Sequence, residues 1–270
     1  MLSAGRERVR QRLQRVPLLW ALIRRDVEAR YRGSWLGLGW SVFAPLTMLA
    51  IYTLVFTRIM RARWAGPAGD DALGYPLMAY SGMIIHAFIA EIVSSAPMAI
   101  IRQGNYVKRV VFPLTLLPVV TVGSASLGLI VGLILLVIMS AGAGNGLHAT
   151  MLALPLALLP TLLLGLGLAW LLSAVGTFVR DISHITGFAV TALFFASPIL
   201  YPAEAVPAPL QSVLRFNPLA WGIESVRCVV TRGVLPNSLN WFAQLAVCLL
   251  FAWVSLGVYR RVQGSFADVL

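Results

Sequence analysis

Residues 113–139 read PLTLLPVVTVGSASLGLIVGLILLVIM, a run without a single charged side chain. A helix needs about 20 apolar residues to cross a bilayer core of about 30 Å, so this stretch predicts a membrane span. The whole chain has the same character, because 59% of its 270 residues are hydrophobic and only 11% are charged. Soluble domains carry about 25% charged residues. The composition therefore excludes a soluble globule, a disordered chain and a disulfide-rich secreted scaffold.

The pattern predicts an all-α polytopic membrane protein. Six stretches have the length and composition of a span, namely 36–57, 75–99, 113–139, 152–178, 183–201 and 240–259. Residues 1–35 form a separate segment before the first span, and 36–270 form a single transmembrane domain. Between the last two spans, prolines introduce two short amphipathic helices, about 207–216 and 218–231, that either re-enter the outer leaflet or lie on its surface.

The distribution of positive charge predicts the orientation. The chain has 21 Lys and Arg against 10 Asp and Glu, a net charge of +11. Fifteen of the 21 basic residues lie in segments that six spans would place on the side of the termini, and nine of these precede residue 36. By the positive-inside rule, both termini are cytoplasmic. A surplus of this kind also attracts nucleic acid, but in a chain of long apolar runs the membrane surface is the better explanation.

The segment before the first span has the pattern of an interfacial helix. Pro17 is suited to the first helical position, and an apolar stripe recurs every fourth residue at Leu19, Ile23, Val27 and Tyr31. Arginine and acidic side chains occupy the other faces. Such a helix lies in the headgroup plane, either as an anionic-lipid anchor or as part of a functional interface.

Two polar side chains fall inside the second span. An ionisable group at membrane depth is a functional hypothesis by default, because burying it without a partner is costly. His86 and Glu91 are five residues apart on a helix and point about 140° from each other, so they are not a direct pair. Glu91 lies near the cytoplasmic end of its span, where a salt bridge to Arg102 or another basic group competes with a role in coupling or gating.

Four sequence motifs resemble those of type-2 ABC exporter permeases, in particular permeases that export lipid-linked polysaccharides such as O-antigen, capsule or teichoic acid. They are RRDVEARYRGSWLGLGWSVFAPL (24–46), FVRDISHI (178–185), SPILYP (197–202) and NPLAWGIESVR (217–227). They occur in the same order as in that family, and the resemblance covers essentially the whole chain.

The resemblance implies partners as well as a fold. Permeases of this family are homodimers that join two nucleotide-binding ATPase subunits in the bacterial inner membrane. Helices in the cytoplasmic loops contact the ATPase, which by resemblance assigns this role to Arg102, Gly104, Asn105, Tyr106, Lys108, Arg109, Arg180 and Asp181. The interface helix would include Arg25, Asp26, Arg30, Tyr31 and Arg32. The external gate, about 203–233 with the motif before it, would include Pro198, Pro202, Asn217, Pro218, Glu224 and Arg227.

Aromatic residues on the first and fifth spans are candidates for a glycan path, because these spans border the translocation path in the family and sugars stack on aromatic rings. The candidates are Trp40, Tyr52, Phe188, Phe194, Phe195 and Tyr201. The alternative for each of them is a lipid-facing belt or ordinary packing.

The chain has no means of hydrolysing ATP. A phosphate-binding P-loop requires Gly-x4-Gly-Lys-Ser/Thr, and the single lysine, Lys108, lies in Tyr-Val-Lys-Arg. The chain is therefore expected to be a transport subunit rather than an enzyme and to bind no cofactor or metal, with ATP and Mg²⁺ bound by the partner ATPase. Two alternatives remain open: a type-2 ABC permease for a small lipophilic compound, and an ATP-independent secondary carrier.

Overall fold

The computed structural model describes residues 2–59, 74–104, 113–143 and 146–269. Within these ranges the chain is helical and contains no β-strand, which confirms the predicted fold class. The α-helices are α1 (Leu2–Tyr31), α2 (Trp40–Thr53), α3 (Gly74–Ser95), α4 (Leu116–Gly142), α5 (Leu154–Ala157), α6 (Leu159–Phe178), α7 (Ile182–Phe195), α8 (Ala208–Phe216), α9 (Pro218–Val230), α10 (Ser238–Val262) and α11 (Phe266–Val269). Short 3₁₀ turns connect several of them.

Helix α1 begins earlier than the sequence pattern predicts. Pro17 lies inside it rather than at its first position. Residues 2–16 are rich in Arg, Gln, Leu and Glu, which are strong helix formers, so the helix continues on the N-terminal side of the proline. The proline lacks one backbone donor, at a cost that the flanking turns absorb.

Among the described residues, four helical segments are long and apolar enough to cross a membrane. They are Gly74–Met98, Leu116–Gly142, Ala149–Phe178 and Ser238–Val269, in agreement with four of the predicted spans. The other two predicted spans, 36–57 and 183–201, contain the shorter apolar helices α2 and α7. Each has 14 residues, which is about 21 Å at 1.5 Å per residue.

The two short helices end for different reasons. A π-helical turn, Leu54–Ile59, follows α2 and takes this helical segment to the limit of the described range. Helix α7 ends at Phe195 because the next residues, SPILYP, contain two prolines and form tight turns.

Helix α3 is the centre of the fold. About two thirds of its membrane-span window is buried inside the protein, against 17% for α10. Ile85, Phe88 and Ile92 lie on one face at helical spacing and are essentially inaccessible to solvent. They belong to one apolar core with residues of α4, α6 and α9. Helices α2 and α7 also pack against α3.

Close packing at one end of α6 depends on a glycine. A Cβ at Gly176 would lie 2.6 Å from the Cα of Pro97, in the turn that follows α3. Because that neighbour is backbone, it cannot rotate away, and α6 approaches the turn this closely only with glycine at this position.

We expect Gly176→Ala to lower the free energy of unfolding by about 1–3 kcal/mol, the usual cost of overpacking. Gly187→Ala is the matched control, since a Cβ at Gly187 of α7 would have no heavy atom within 4 Å. Thermal unfolding of both variants in detergent measures the difference. Equal melting temperatures would contradict the role given to Gly176.

Candidate functional site

Helix α1 packs against the first half of α4. Leu22 is buried, and Ile23 lies over Gly123, where an added Cβ would clash with the Cδ1 and Cγ1 atoms of Ile23. The small residue on α4 therefore allows α1 to lie directly on the bundle. This packing aims the following arginines of α1 at the end of α3 and at the turn that follows it.

An ion pair joins α1 to α3. Arg30 donates to the Glu91 carboxylate, and it also lies 3.8 Å from Asp26 one turn earlier on its own helix. Both members of the Arg30–Glu91 pair are about one-third exposed, at 35% and 27%. Next to Asp26 on α1, Arg25 donates a 2.8 Å hydrogen bond to Gln103. These contacts link the proposed interface helix to the chain that leads into the 101–112 loop.

Other predicted interface and coupling residues have fewer contacts. Arg102 and Arg32 are exposed, and Gly104 is half-buried at the end of the 3₁₀ turn Ile101–Gln103. Arg180 and Asp181 are exposed in the turn before α7. Asn105, Tyr106, Lys108, Arg109 and the side chain of Tyr31 lie outside the described residues.

An apolar cluster holds both ends of the 101–112 loop, and sequence reasoning missed it. Ile100 before the loop and Leu117 after it are buried against Ala174, Tyr259 and Phe266. The Tyr259 hydroxyl donates a 2.9 Å hydrogen bond to the carbonyl of Leu114. The C-terminal residues therefore form the base of the loop. The single aromatic residue of the 260–270 tail, Phe266, was the one signal for this packing.

The predicted aromatic path residues do not form one cluster in the described chain. Trp40 packs edge-on against Phe43 at 5.5 Å, and Tyr52 is half-buried further along α2. On α7, Phe188 and Phe195 are 79% and 68% exposed. Phe194 lies 5.3 Å from Phe195. The two helices each pack against α3 and present separate aromatic side chains.

His86 belongs to the α3–α7 contact. Its Nε2 donates to the carbonyl of Val190 at 3.1 Å, and its ring meets Phe194 edge-on at 5.2 Å. Glu91 pairs with Arg30 instead, so the two polar residues of this span have different partners.

Two of the sequence motifs meet at the other end of α3. Asn217 caps α9 by accepting a hydrogen bond from the backbone of Leu219 at 2.9 Å. Its amide nitrogen donates to the carbonyl of Ala196 at 3.1 Å and to the hydroxyl of Ser197 at 2.9 Å. Tyr201 donates to the carbonyl of Phe195 at 2.8 Å. The SPILYP and NPLAWGIESVR motifs are therefore parts of one structural unit.

Arg227 is the most buried charged residue of this unit, with 2% of its surface exposed. Its Nη2 donates to the carbonyls of Met78 at 2.9 Å and Ile199 at 3.2 Å, and its Nε donates to Ser81 at 3.2 Å. Burial lowers its pKa to about 10, so the guanidinium remains charged at neutral pH. One side chain thus joins α9, α3 and the SPILYP turn.

The remaining predicted gate residues surround this unit. Pro198 is buried, Pro202 precedes the short turn Ala203–Ala205, and Pro218 is the first residue of α9. Glu224 pairs with Arg232 on the exposed side of α9. Sequence reasoning identified Arg227 but missed its partners Met78 and Ser81 in α3.

Helix α1 thus lies on α4, an ion pair joins it to α3, and a buried arginine binds the other end of α3. The profile of a family described as ABC-2 type transporter matches residues 17–231. The chain belongs to this family. The match confirms the resemblance noted from the motifs and identifies the chain as an integral membrane transport subunit.

Relatives of this ABC-2 membrane protein align over almost its whole length. The O-antigen export system permease protein RfbA of Myxococcus xanthus is 26% identical, covering 96% of this chain and 98% of the relative. An RfbA protein of Klebsiella pneumoniae is 23% identical, covering 94% and 95%. The polysialic acid transport protein KpsM of Escherichia coli is 26% identical, covering 89% and 91%.

We expect Arg227→Met to lower the free energy of unfolding by at least about 2 kcal/mol, because it leaves the carbonyls bound by Nη2 without a buried donor. Arg215→Met is the matched control, since Arg215 is exposed on the adjacent helix α8. Thermal unfolding in detergent checks the difference. Equal stability of the two variants would show that the buried hydrogen bonds of Arg227 contribute little.

Proposed function

We propose that this chain is the membrane subunit of an ABC exporter that moves a lipid-linked polysaccharide, of the O-antigen type, outward across the bacterial inner membrane. One observation carries the proposal: the relatives that align over nearly the full length of both chains are O-antigen export permeases. The KpsM relative is a polysialic acid transport protein, and polysialic acid is also a polysaccharide. The small-lipophile exporter and the secondary carrier have no comparable support.

The proposal includes an assembly. Two copies of the chain form the path, each with six spans and cytoplasmic termini, and two ATPase subunits bind ATP and Mg²⁺. The charge distribution supports the orientation, and the absence of a P-loop sequence supports a separate ATPase. Helices α2 and α7 serve as the first and fifth spans. Residues 36–270 form one transmembrane domain, and the external helices α8 and α9 gate the exit.

The connections of α3 provide a mechanism for coupling. At one end, Glu91 is paired with Arg30 of the interface helix, next to the turn that leads into the 101–112 loop. At the other end, Met78 and Ser81 are bonded to Arg227 of α9. A displacement of the loop and α1 by the ATPase is therefore carried along a rigid helix to the gate helices. Apolar packing of Ile100 and Leu117 on Phe266 keeps the ends of the loop in place.

The aromatic surfaces on α2 and α7 are suited to a path between two copies. Phe188 and Phe195 of α7 are largely exposed in the single chain, and so is part of Trp40 on α2. A second copy would bring such surfaces face to face. Stacking of sugar C–H faces on these rings tolerates different glycans, because it does not depend on the pattern of hydroxyl groups.

We expect deletion of the gene to trap the lipid-linked glycan on the cytoplasmic side, with loss of glycan from the cell surface. The tagged chain should co-purify with an ATPase subunit, and inverted vesicles that contain both should take up lipid-linked glycan when ATP is added. A complex whose ATPase binds ATP without hydrolysing it is the control and should not transport.

The outcomes separate the alternatives. Unchanged surface glycan together with accumulation of a lipophilic compound would favour the small-molecule exporter. Failure to recover an ATPase under any condition would overturn both ABC-exporter hypotheses, for a glycan and for a small lipophilic compound. Lys108→Glu with Arg109→Glu should abolish co-purification if the 101–112 loop is the docking element.

We expect Arg30→Gln and Glu91→Gln each to reduce the amount of glycan exported per ATP hydrolysed by several fold, because each breaks the link between α1 and α3. The double variant should export no less glycan per ATP than the more impaired of the two single variants, since the two residues act as one unit. The Arg24–Glu28 pair on the exposed face of α1 is the matched control. Additive losses, or equal losses in the control pair, would contradict coupling through Arg30 and Glu91.

A further inference from the structure

A basic cavity of about 360 Å³ lies between α1, the turn after α3, and α4. Its polar wall consists of three guanidinium groups, one carboxylate, one amide and two hydroxyls, from Arg25, Arg30, Arg102, Asp26, Gln103, Ser95 and Thr121. Small and apolar side chains, including Ala99 and Val120, form the rest of the wall. We call this space the basic cavity.

The three arginines of the basic cavity differ in their hydrogen-bond and ion-pair partners. Arg30 is engaged by Asp26 and by Glu91, and Arg25 donates to Gln103. Arg102 is exposed and forms no hydrogen bond or ion pair with any residue in the part of the chain described above. With three guanidiniums against a single carboxylate on the wall, the cavity favours an anion.

A second cavity indicates which kind of anion. An apolar space of about 310 Å³ lies between α2, α3 and α4, lined by residues such as Met48, Phe88 and Leu129. Glu91 is on its wall, and the partner of Glu91, Arg30, is on the wall of the basic cavity. The two spaces therefore lie on either side of the Arg30–Glu91 pair. A free anion would use only the first, whereas an amphiphile with an anionic head and a hydrocarbon chain matches both.

We propose that the basic cavity binds the phosphodiester group of an anionic phospholipid from the leaflet on the α1 side, with an acyl chain reaching the apolar cavity. Arg25 and Arg102 donate to the phosphate oxygens, since a guanidinium matches phosphate geometry. The bound lipid fills the angle between α1 and α3, so it is a structural ligand and not the exported substrate. The phosphate site in the basic cavity contains none of the proposed glycan-path residues, although one of them, Trp40, lines the apolar cavity.

The test uses the complete permease–ATPase complex in nanodiscs that contain equal amounts of phosphatidylglycerol and phosphatidylcholine. After transfer to detergent, native mass spectrometry counts the lipids that stay bound. We expect wild type to retain phosphatidylglycerol, and Arg102→Gln to retain about tenfold less, because a charged hydrogen bond is lost. Arg102 has no hydrogen-bond or ion-pair partner among the described residues, so this substitution breaks no such contact within them. Arg24→Gln, on the exposed face of α1, should retain as much as wild type.

A second variant tests the cavity without changing its charge. Ala99→Leu fills part of the space and should also reduce retention of phosphatidylglycerol. Equal retention in all variants, or equal retention of phosphatidylcholine, would overturn the proposal in favour of general annular lipid.

Two further outcomes would identify another ligand and overturn the proposal. Displacement of the lipid by excess inorganic phosphate would indicate a site for the free anion. Recovery of a polyprenyl diphosphate in place of phosphatidylglycerol would make the cavity part of the substrate path. Because lipid retention is measured without transport, a failed export assay leaves this test intact.

Discussion

The buried guanidinium of Arg227 determines how the region around α9 and the first part of α3 is arranged. A charged group with 2% of its surface exposed requires hydrogen-bond acceptors on several sides, and here they come from α3 and from the SPILYP turn. Removing either of these elements would leave part of the guanidinium without hydrogen-bond acceptors in a low-dielectric interior. The guanidinium therefore fixes α9, the turn and the first part of α3 relative to one another.

Helix α3 has an arginine contact near each of its ends. Arg227 binds near its first turn, and Arg30 binds Glu91 near its last turn. Between them, Ile85, Phe88 and Ile92 are packed on all sides and leave little freedom to bend. A tightly packed helix of this kind moves as a unit, so the two arginine contacts belong to one mechanical element. Helices α1 and α9 are thereby connected through α3.

The parts of the fold that depend on local sequence could be predicted, and the parts that depend on distant partners could not. Four long apolar runs become four long helices because composition and length suffice for a span. The sequence predicts a salt bridge from Glu91 to Arg102 or another basic group, and the structure shows that the partner is Arg30, 61 residues away. Nothing in the pattern of either segment encodes that pairing. The role of Phe266 is equally non-local, since its neighbours come from three other segments.

The short helix α7 explains why the SPILYP and NPLAWGIESVR motifs occur together. A helix of about 21 Å does not cover a bilayer core of about 30 Å, so the proposed fifth span must continue in non-helical backbone. Such backbone is tolerated at membrane depth only where its polar groups have partners within the protein. The backbone carbonyls at and after the end of α7 accept hydrogen bonds from side chains. Tyr201 donates to Phe195, Asn217 to Ala196, and Arg227 to Ile199. The asparagine and arginine of the second motif are thus required by the prolines of the first, which end the helix early.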